Sequence, residues 1–237
     1  MSSPRQPRLA LRPLDTIIEI LRDHLDQPKV VLVGQSQGSI VGAVIARRRP
    51  DLLHAYVGTG QIADMGRNEE LTHAMALERA RAAGNRKAIR ALARATPPFR
   101  DARSWITKQR FSMGTDPESR RWRPKALAAV LFWPYYRAGD VYRSFLGALF
   151  LPPRLFEETM ATTPATLGTH FDVPFFLLHG ADDLHTRPAL AQEYLAAIEA
   201  PTKEFVLLPG AGHLSLLAHP DQFLAELLSR VRPVAVA

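Results

Sequence analysis

The run Val30-Val31-Leu32-Val33, followed by Gly34-Gln35-Ser36-Gln37-Gly38, constrains this chain more than any other stretch. A short, wholly apolar, mostly β-branched segment reads as a strand buried in a parallel sheet. It stops at G-x-S-x-G, and small and apolar residues from Ser39 to Val44 continue as a packed helix. A sharp strand-to-helix turn of this kind holds its serine in a strained backbone conformation, with the hydroxyl projecting above the sheet. Such a turn brings strand and helix close together, which leaves no room for a Cβ at Gly34 or Gly38. The five-residue pattern is weak by itself; its place after a strand and before a helix makes it informative.

A serine hydroxyl is a poor nucleophile until a base takes its proton and a third group orients that base. In this architecture the acid and then the histidine follow the serine along the chain. Pro174 to Gly180 (P-F-F-L-L-H-G) reads as a second buried strand, with Ala181-Asp182-Asp183-Leu184 directly after it. Glu204 to Leu208 reads as a last strand, followed by Pro209-Gly210-Ala211-Gly212-His213. Strands of a parallel sheet all end on one side, where open α/β folds place their sites. Three strand ends therefore deliver Ser36, an aspartate (Asp182 or Asp183) and His213 to one rim.

These residues resemble the α/β-hydrolases, and among them the proline iminopeptidase-like branch. The likeness is carried by V-V-L-V-G-Q-S-Q-G-S, A-Y-V-G-T-G-Q-I-A-D-M and L-E-R-A-R-A-A-G-N-R-K-A-I, then by V-P-F-F-L-L-H-G-A-D-D-L-H-T, L-A-Q-E-Y and L-P-G-A-G-H. It runs from about Thr16 to about Leu228. The resemblance implies Ser36 as nucleophile, His213 as base and Asp183, three residues after Gly180, as acid, with Asp182 the neighbouring candidate. It also implies the Gln37 backbone N–H as one oxyanion donor.

The chain departs from the family ahead of the elbow, where the family carries several strands and an H-G-G-type loop that donates the second oxyanion N–H. Here Ile17, Ile18, Leu21 and Leu25 fall at helical spacing and predict a helix over 15–25 leading into the elbow strand. Residues 1–14, rich in proline and arginine, are expected to be a disordered tail. The expectation is thus a truncated α/β-hydrolase fold. The elbow strand becomes a sheet edge with Val30, Val31 and Val33 unprotected, which invites aggregation or a homodimer formed through that edge.

Four strands are predicted, at 30–33, about 54–58, 174–178 and 204–208, with helices at 15–25, 38–48, 188–199 and 221–231. This places an α/β core at 15–63 and 172–237. Between 64 and 171 strand-like runs vanish, and a helical cap is predicted from Glu69–Ala83, Lys87–Ala95, Trp105–Met113, Lys125–Leu131, Tyr142–Phe150 and Pro153–Met160. The pairs Pro97-Pro98 and Pro152-Pro153 punctuate it. Trp122, Phe132, Trp133, Tyr135 and Tyr136 read as cap core before substrate wall.

The net charge of +7 is concentrated here, because between Arg67 and Lys125 basic residues outnumber acidic ones roughly fifteen to six. That excess reads as solvated helix faces, and no nucleic-acid module accompanies it. The absence of cysteine excludes disulfides, thiolate catalysis and sulfur-ligated metals. No apolar run reaches the ~18–20 residues of a membrane span, and the basic N-terminus lacks a signal peptide's apolar stretch. A cytoplasmic location follows as the expectation. His179, Asp182, Asp183 and His185 have the composition of a metal site, but they straddle a strand end and are expected to diverge. His24, His54, His73, His170 and His219 read as surface or packing residues. No metal or cofactor is expected.

The function expected is a serine hydrolase that cleaves a small-molecule ester, or a small amide or short peptide, through an acyl-enzyme. The resemblance adds aminopeptidase action on N-terminal proline, which needs acidic cap groups to hold the substrate amine; Glu69, Glu70, Glu78, Glu157 and Glu158 are on offer. The alternative is an inactive or impaired fragment that serves as a binding or interaction module, because a missing oxyanion donor costs on the order of 100- to 1,000-fold in turnover.

Overall fold

The structure, a computed structural model, describes residues 11–132 and 134–236. Helix α1 (Leu11–Leu25) leads into strand β1 (Val30–Gln35), helix α2 (Gln37–Arg48), a 3-10 turn (Pro50–Leu52) and strand β2 (Leu53–Thr59). Helices α3 (Met65–Ala82), α4 (Arg86–Arg94), α5 (Ala102–Thr115), α6 (Pro117–Phe132), α7 (Ala138–Met160) and α8 (Pro164–Leu167) follow. The chain returns through β3 (Phe175–Gly180), α9 (Pro188–Ala197), β4 (Lys203–Leu208), α10 (Ser215–Ala218) and α11 (Pro220–Glu226). A π-helical turn (Leu227–Val231) joins α11 to α12 (Arg232–Val236).

The four strands form one parallel sheet in chain order, β1-β2-β3-β4. Their register fixes where a site can form. Gln35 pairs with Thr59 at the ends of β1 and β2, and Gly180 pairs with Leu208 at the ends of β3 and β4. The segments that leave these strands therefore start from one edge, as a parallel ladder requires.

Both faces of the central strands are covered, which is why β2 and β3 read as near-continuous apolar runs instead of alternating ones. Ala55, Val57, Phe176 and Leu178 pack on one face with Leu208, Ala211, Phe223 and Val231. On the other, the Phe175 ring lies 4.7 Å from Tyr56, 4.6 Å from Phe171 and 6.2 Å from Tyr194. β1 and β4 are the edges of this sheet, and Val33 on β1 is 38% exposed.

Helix α1 begins at Leu11, four residues inside the segment expected to be a tail. Pro13 does not prevent this, because in a first turn the missing N–H has no intrahelical partner to lose. The rest of that expectation, residues 1–10, lies outside the described residues. Of the apolar stripe on α1 only Ile18 is buried; Ile17, Leu21 and Leu25 stay about half exposed.

By its internal packing the chain divides into two compact units. One comprises the described residues through Asn68 together with those from Ala161 on; the other is Glu69–Met160. Within the second, Ala76, Ala80, Ala88 and Leu92 form one apolar cluster, and Ala95, Phe99 and Phe156 another. A fully buried ion pair also ties it, with Lys108 Nζ 2.7 Å from Glu69 Oε2 and donating to Thr72 Oγ1. Burial lowers the Lys108 pKa, against the opposing charge and hydrogen bond of Glu69.

Two expectations for this segment are corrected. The Pro152-Pro153 pair does not separate two helices, since α7 runs unbroken through both prolines despite the two donors they remove. The aromatic group does not form a core either: Phe132 is 81% and Tyr135 83% exposed, and Tyr136 is also exposed. They sit at the end of α6 and on the connection after it, where successive side chains radiate instead of sharing a face. Trp133 lies outside the described residues.

Candidate active site

Ser36 ends β1 and opens α2 with φ 52° and ψ −121°, a left-handed backbone that a residue with a Cβ rarely adopts. A serine at this position usually caps its helix through the hydroxyl. Here the side chain makes no such bond, and Oγ lies instead 3.0 Å from His213 Nε2. The backbone is held from behind. Ser36 N–H donates to Thr59 O at 3.0 Å, and the Ser39 hydroxyl donates to Ser36 O at 2.6 Å.

The close approach expected at the turn holds for Gly34, where a Cβ would lie 2.8 Å from Gly38 O and 2.9 Å from Ser39 Cα. It does not hold for Gly38, where a Cβ would meet nothing within 4 Å. Gly42, one helical turn further on, is the second crowded position, because a Cβ there would lie 2.6 Å from the Tyr56 ring. Helix and strand approach at Gly34 and Gly42, whereas Gly38, in the first turn of α2, is exposed.

His213 follows β4 in the loop after Leu208. Its Nδ1 lies 2.9 Å from Asp183 Oδ2. A carboxylate only accepts, so the proton is on Nδ1, and Nε2 presents a lone pair to the Ser36 hydroxyl. Gln35 Nε2 donates to the His213 carbonyl at 3.1 Å, which ties the base to the residue before the serine. Asp182, the neighbouring candidate, is exposed, whereas Asp183 is fully buried. Gln37, whose N–H was named as oxyanion donor, is the first residue of α2, directly after Ser36.

The loop after β3 is built around the Asp183 carboxylate. Oδ1 accepts from the N–H groups of His185 at 2.7 Å and Thr186 at 2.8 Å, and Oδ2 accepts from the Thr186 hydroxyl at 2.7 Å. Asn68 braces the same loop, donating to His185 O at 2.8 Å and accepting from Arg187 N at 3.0 Å. Burial pushes the Asp183 carboxyl up, the largest single effect. The charge of His213 and hydrogen bonds from His179 and His213 outweigh it and hold the group well below the usual carboxylate range. Asp183 is therefore charged where it meets His213.

His179 was expected to diverge from Asp183; instead its Nε2 lies 3.3 Å from Asp183 Oδ2. At the end of β3 both side chains turn to the same side, because the loop folds back over the strand. Among the described residues no group of three or more His, Asp or Glu side chains is arranged to hold a metal ion, and no helix is long and apolar enough to cross a membrane.

Several supporting residues carry no motif of their own. Thr186 was legible only as a threonine three residues after an aspartate, the spacing of a local side-chain turn. Gly60 has φ 52°, and a Cβ there would lie 3.0 Å from His213 Cε1 and 3.2 Å from Thr186 Oγ1. Gln35 and Asn68 act across 178 and 117 residues of sequence, and nothing local marks them.

Comparison with known proteins agrees with this architecture. The Bacillus subtilis (strain 168) protein named "Probable aminopeptidase YbaC" is 26% identical over 223 residues, which span 90% of this chain and 68% of that one. A monoacylglycerol lipase of Paleococcus ferrophilus has a similar structure, with a TM-score of 0.51 at 18% identity over 99% of this chain and 77% of that one. BpoC of Mycobacterium tuberculosis H37Rv gives 0.53 at 17% identity, over 98% and 76%. At these identities the structural likenesses speak to the fold alone. Residues 2–227, almost the whole sequence, match the alpha/beta hydrolase family, and the chain belongs to that family.

Proposed function

We propose that this protein is a serine hydrolase that cleaves a carboxylic ester or a small amide through an acyl-enzyme. The observation that carries this reading is the unbroken relay from Ser36 Oγ to His213 Nε2 at 3.0 Å and from His213 Nδ1 to Asp183 Oδ2 at 2.9 Å. Ser36 attacks the carbonyl while His213 takes its proton, and Asp183 holds the tautomer and stabilises the imidazolium. His213 then returns the proton to the leaving group, and water, activated by the same imidazole, releases the acid. The Gln37 N–H serves the developing oxyanion from the first turn of α2, where the helix dipole favours negative charge.

Short-chain ester hydrolysis is the broader reading and aminopeptidase action the narrower one, suggested by the name of the Bacillus relative. One acidic group put forward to hold a substrate amine is engaged elsewhere, since Glu69 is buried against Lys108. The test is intact-mass labelling with a fluorophosphonate, on wild type and Ser36→Ala side by side. A single adduct on wild type alone supports the reading, and a comparison of a p-nitrophenyl ester with a proline anilide then separates esterase from peptidase. A folded wild-type protein that takes no label refutes it and leaves the inactive binding module as the better account.

A further inference from the structure

Asp183 Oδ2 is the atom on which the site turns, and three donors converge on it. The Thr186 hydroxyl is 2.7 Å away, His213 Nδ1 2.9 Å and His179 Nε2 3.3 Å. The first two belong to the loop and the base; the third comes from β3, the most deeply buried strand, and His179 is itself fully buried. His179 Nε2 also lies 2.9 Å from the Thr186 carbonyl. Both of its neighbours are acceptors, so Nε2 carries a proton shared between them. The other ring nitrogen, Nδ1, is buried without a hydrogen-bond partner. With Nε2 donating, Nδ1 is the bare nitrogen of the neutral ring, a single tautomer. The ring lies roughly parallel to Phe205 on β4, with centroids 6.3 Å apart, so its plane is set by the core and not by solvent.

We propose that His179 is a positioning residue for this site: its Nε2–H, bridging the Thr186 carbonyl and Asp183 Oδ2, fixes the carboxylate oxygen that aims His213 at Ser36. The proposal rests on the serine hydrolase reading for its effect on rate, and on geometry alone for its effect on the carboxylate. An sp² oxygen has two lone pairs, and Thr186 and His213 occupy them at short range. The longer third contact therefore adds direction more than strength. It resists rotation of the carboxylate about its bond to Cβ, and through the Thr186 carbonyl it anchors the loop that supplies the remaining donors. The titratable and charged groups beside this carboxylate are His179, His213, His185, whose ring lies 5.1 Å from that of His213, and Arg187, whose guanidinium donates to the Asp183 backbone carbonyl at 2.7 Å.

Two substitutions separate the donor from the bulk of the ring. His179→Gln places an amide N–H near the position of Nε2, and His179→Asn places one near Nδ1 and leaves the Nε2 position empty. Ester hydrolysis as a function of pH is measured on wild type and both variants, together with the low-field proton NMR signal of His213 Nδ1–H. The Gln protein is expected to keep kcat within about threefold of wild type and to keep the signal. The Asn protein is expected to lose about tenfold or more in kcat with KM nearly unchanged, to lose or shift the signal, and to move the acid limb of its rate profile to higher pH, because its carboxylate is less neutralised. Wild-type behaviour of the Asn protein overturns the proposal, as does equal impairment of both variants, which would mean that ring shape matters and the donor does not. If the Asn protein does not fold, the Gln protein decides: retained rate and signal support the role, and loss of either in folded protein refutes it. A wild type that neither hydrolyses esters nor takes a fluorophosphonate removes the hydrolase reading, and the proton signal across the same proteins still decides whether His179 sets the carboxylate.

Discussion

Replacing Gly60 by alanine tests the site through a residue that makes no hydrogen bond in it. Gly60 has φ 52°, so any Cβ there incurs the left-handed penalty, about 1–2 kcal/mol. For a protein of this size that corresponds to a fall in Tm of about 2–8 °C. The added methyl also meets the His213 imidazole, with contacts of 3.0 Å to Cε1 and 3.1 Å to Nδ1, a few tenths of an ångström inside ordinary packing. The ring must shift by that amount, and it bridges Ser36 at 3.0 Å and Asp183 at 2.9 Å, so both contacts are disturbed together. A full ångström of misplacement costs about 100-fold in rate, and on that scale a few tenths should cost about three- to sixfold. Gly84 is the control, because its φ is 61° but a Cβ there meets nothing within 4 Å. Gly84→Ala should show a similar loss of Tm with kcat unchanged. The assay is ester hydrolysis well below the unfolding transition of either variant, beside thermal melts. Equal kcat in the two variants would refute the argument that Gly60 braces His213.

Asp183→Asn should lower kcat by about 10⁴-fold, because an amide favours the wrong imidazole tautomer, while Asp182→Asn should be almost silent; steady-state kinetics on both reads the ranking. Because the folded-state pKa of Asp183 is lowered, its stabilising contribution is present above the ordinary carboxylate pKa of about 4 and is lost as pH falls through the folded value. Melting temperatures on acidification from about pH 4 down toward that folded value should therefore drop more steeply for wild type than for Asp183→Asn. Lys108→Met leaves Glu69 buried and unpaired and should destabilise by about 3–5 kcal/mol, measured by urea titration, and Lys108→Met with Glu69→Leu should recover much of that loss. Val33→Lys puts a charge on the edge strand and should reduce any concentration-dependent association seen by sedimentation velocity; identical behaviour of both proteins would exclude that edge as the contact.

The parts of the fold legible in the sequence were those in which local pattern and tertiary role coincide. The runs at 30–33, 54–58, 174–178 and 204–208 each lie within an observed strand or overlap one, and the two central ones are the most continuously apolar because β2 and β3 are covered on both faces. The helical segment was legible in kind but not in detail. Proline is a strong local punctuator, yet α7 passes through Pro152-Pro153. Exposure was harder still: Phe132 and Tyr135 have the composition of core residues, and composition does not record which way a side chain faces. Within the site, Ser36, Asp183 and His213 each follow a strand and could be found by that fact. Gln35, Gly60 and Asn68 could not, because their partners are distant in sequence and meet them only through the fold; those of His179, Asp183 and Thr186, are four and seven residues away, but no motif marks the bend that brings them together.

The strand order has a consequence in time. Because β1 to β4 lie side by side in the order of the chain, Ser36 and His213 are synthesised 177 residues apart. At about 5–20 residues per second the elbow serine leaves the ribosome roughly 10–35 seconds before its base exists. During that interval the hydroxyl has no proton acceptor and is an ordinary serine. On the proposed serine hydrolase reading, arrival of β4 and the loop after it supplies that acceptor, so until then the nascent chain carries an unactivated hydroxyl.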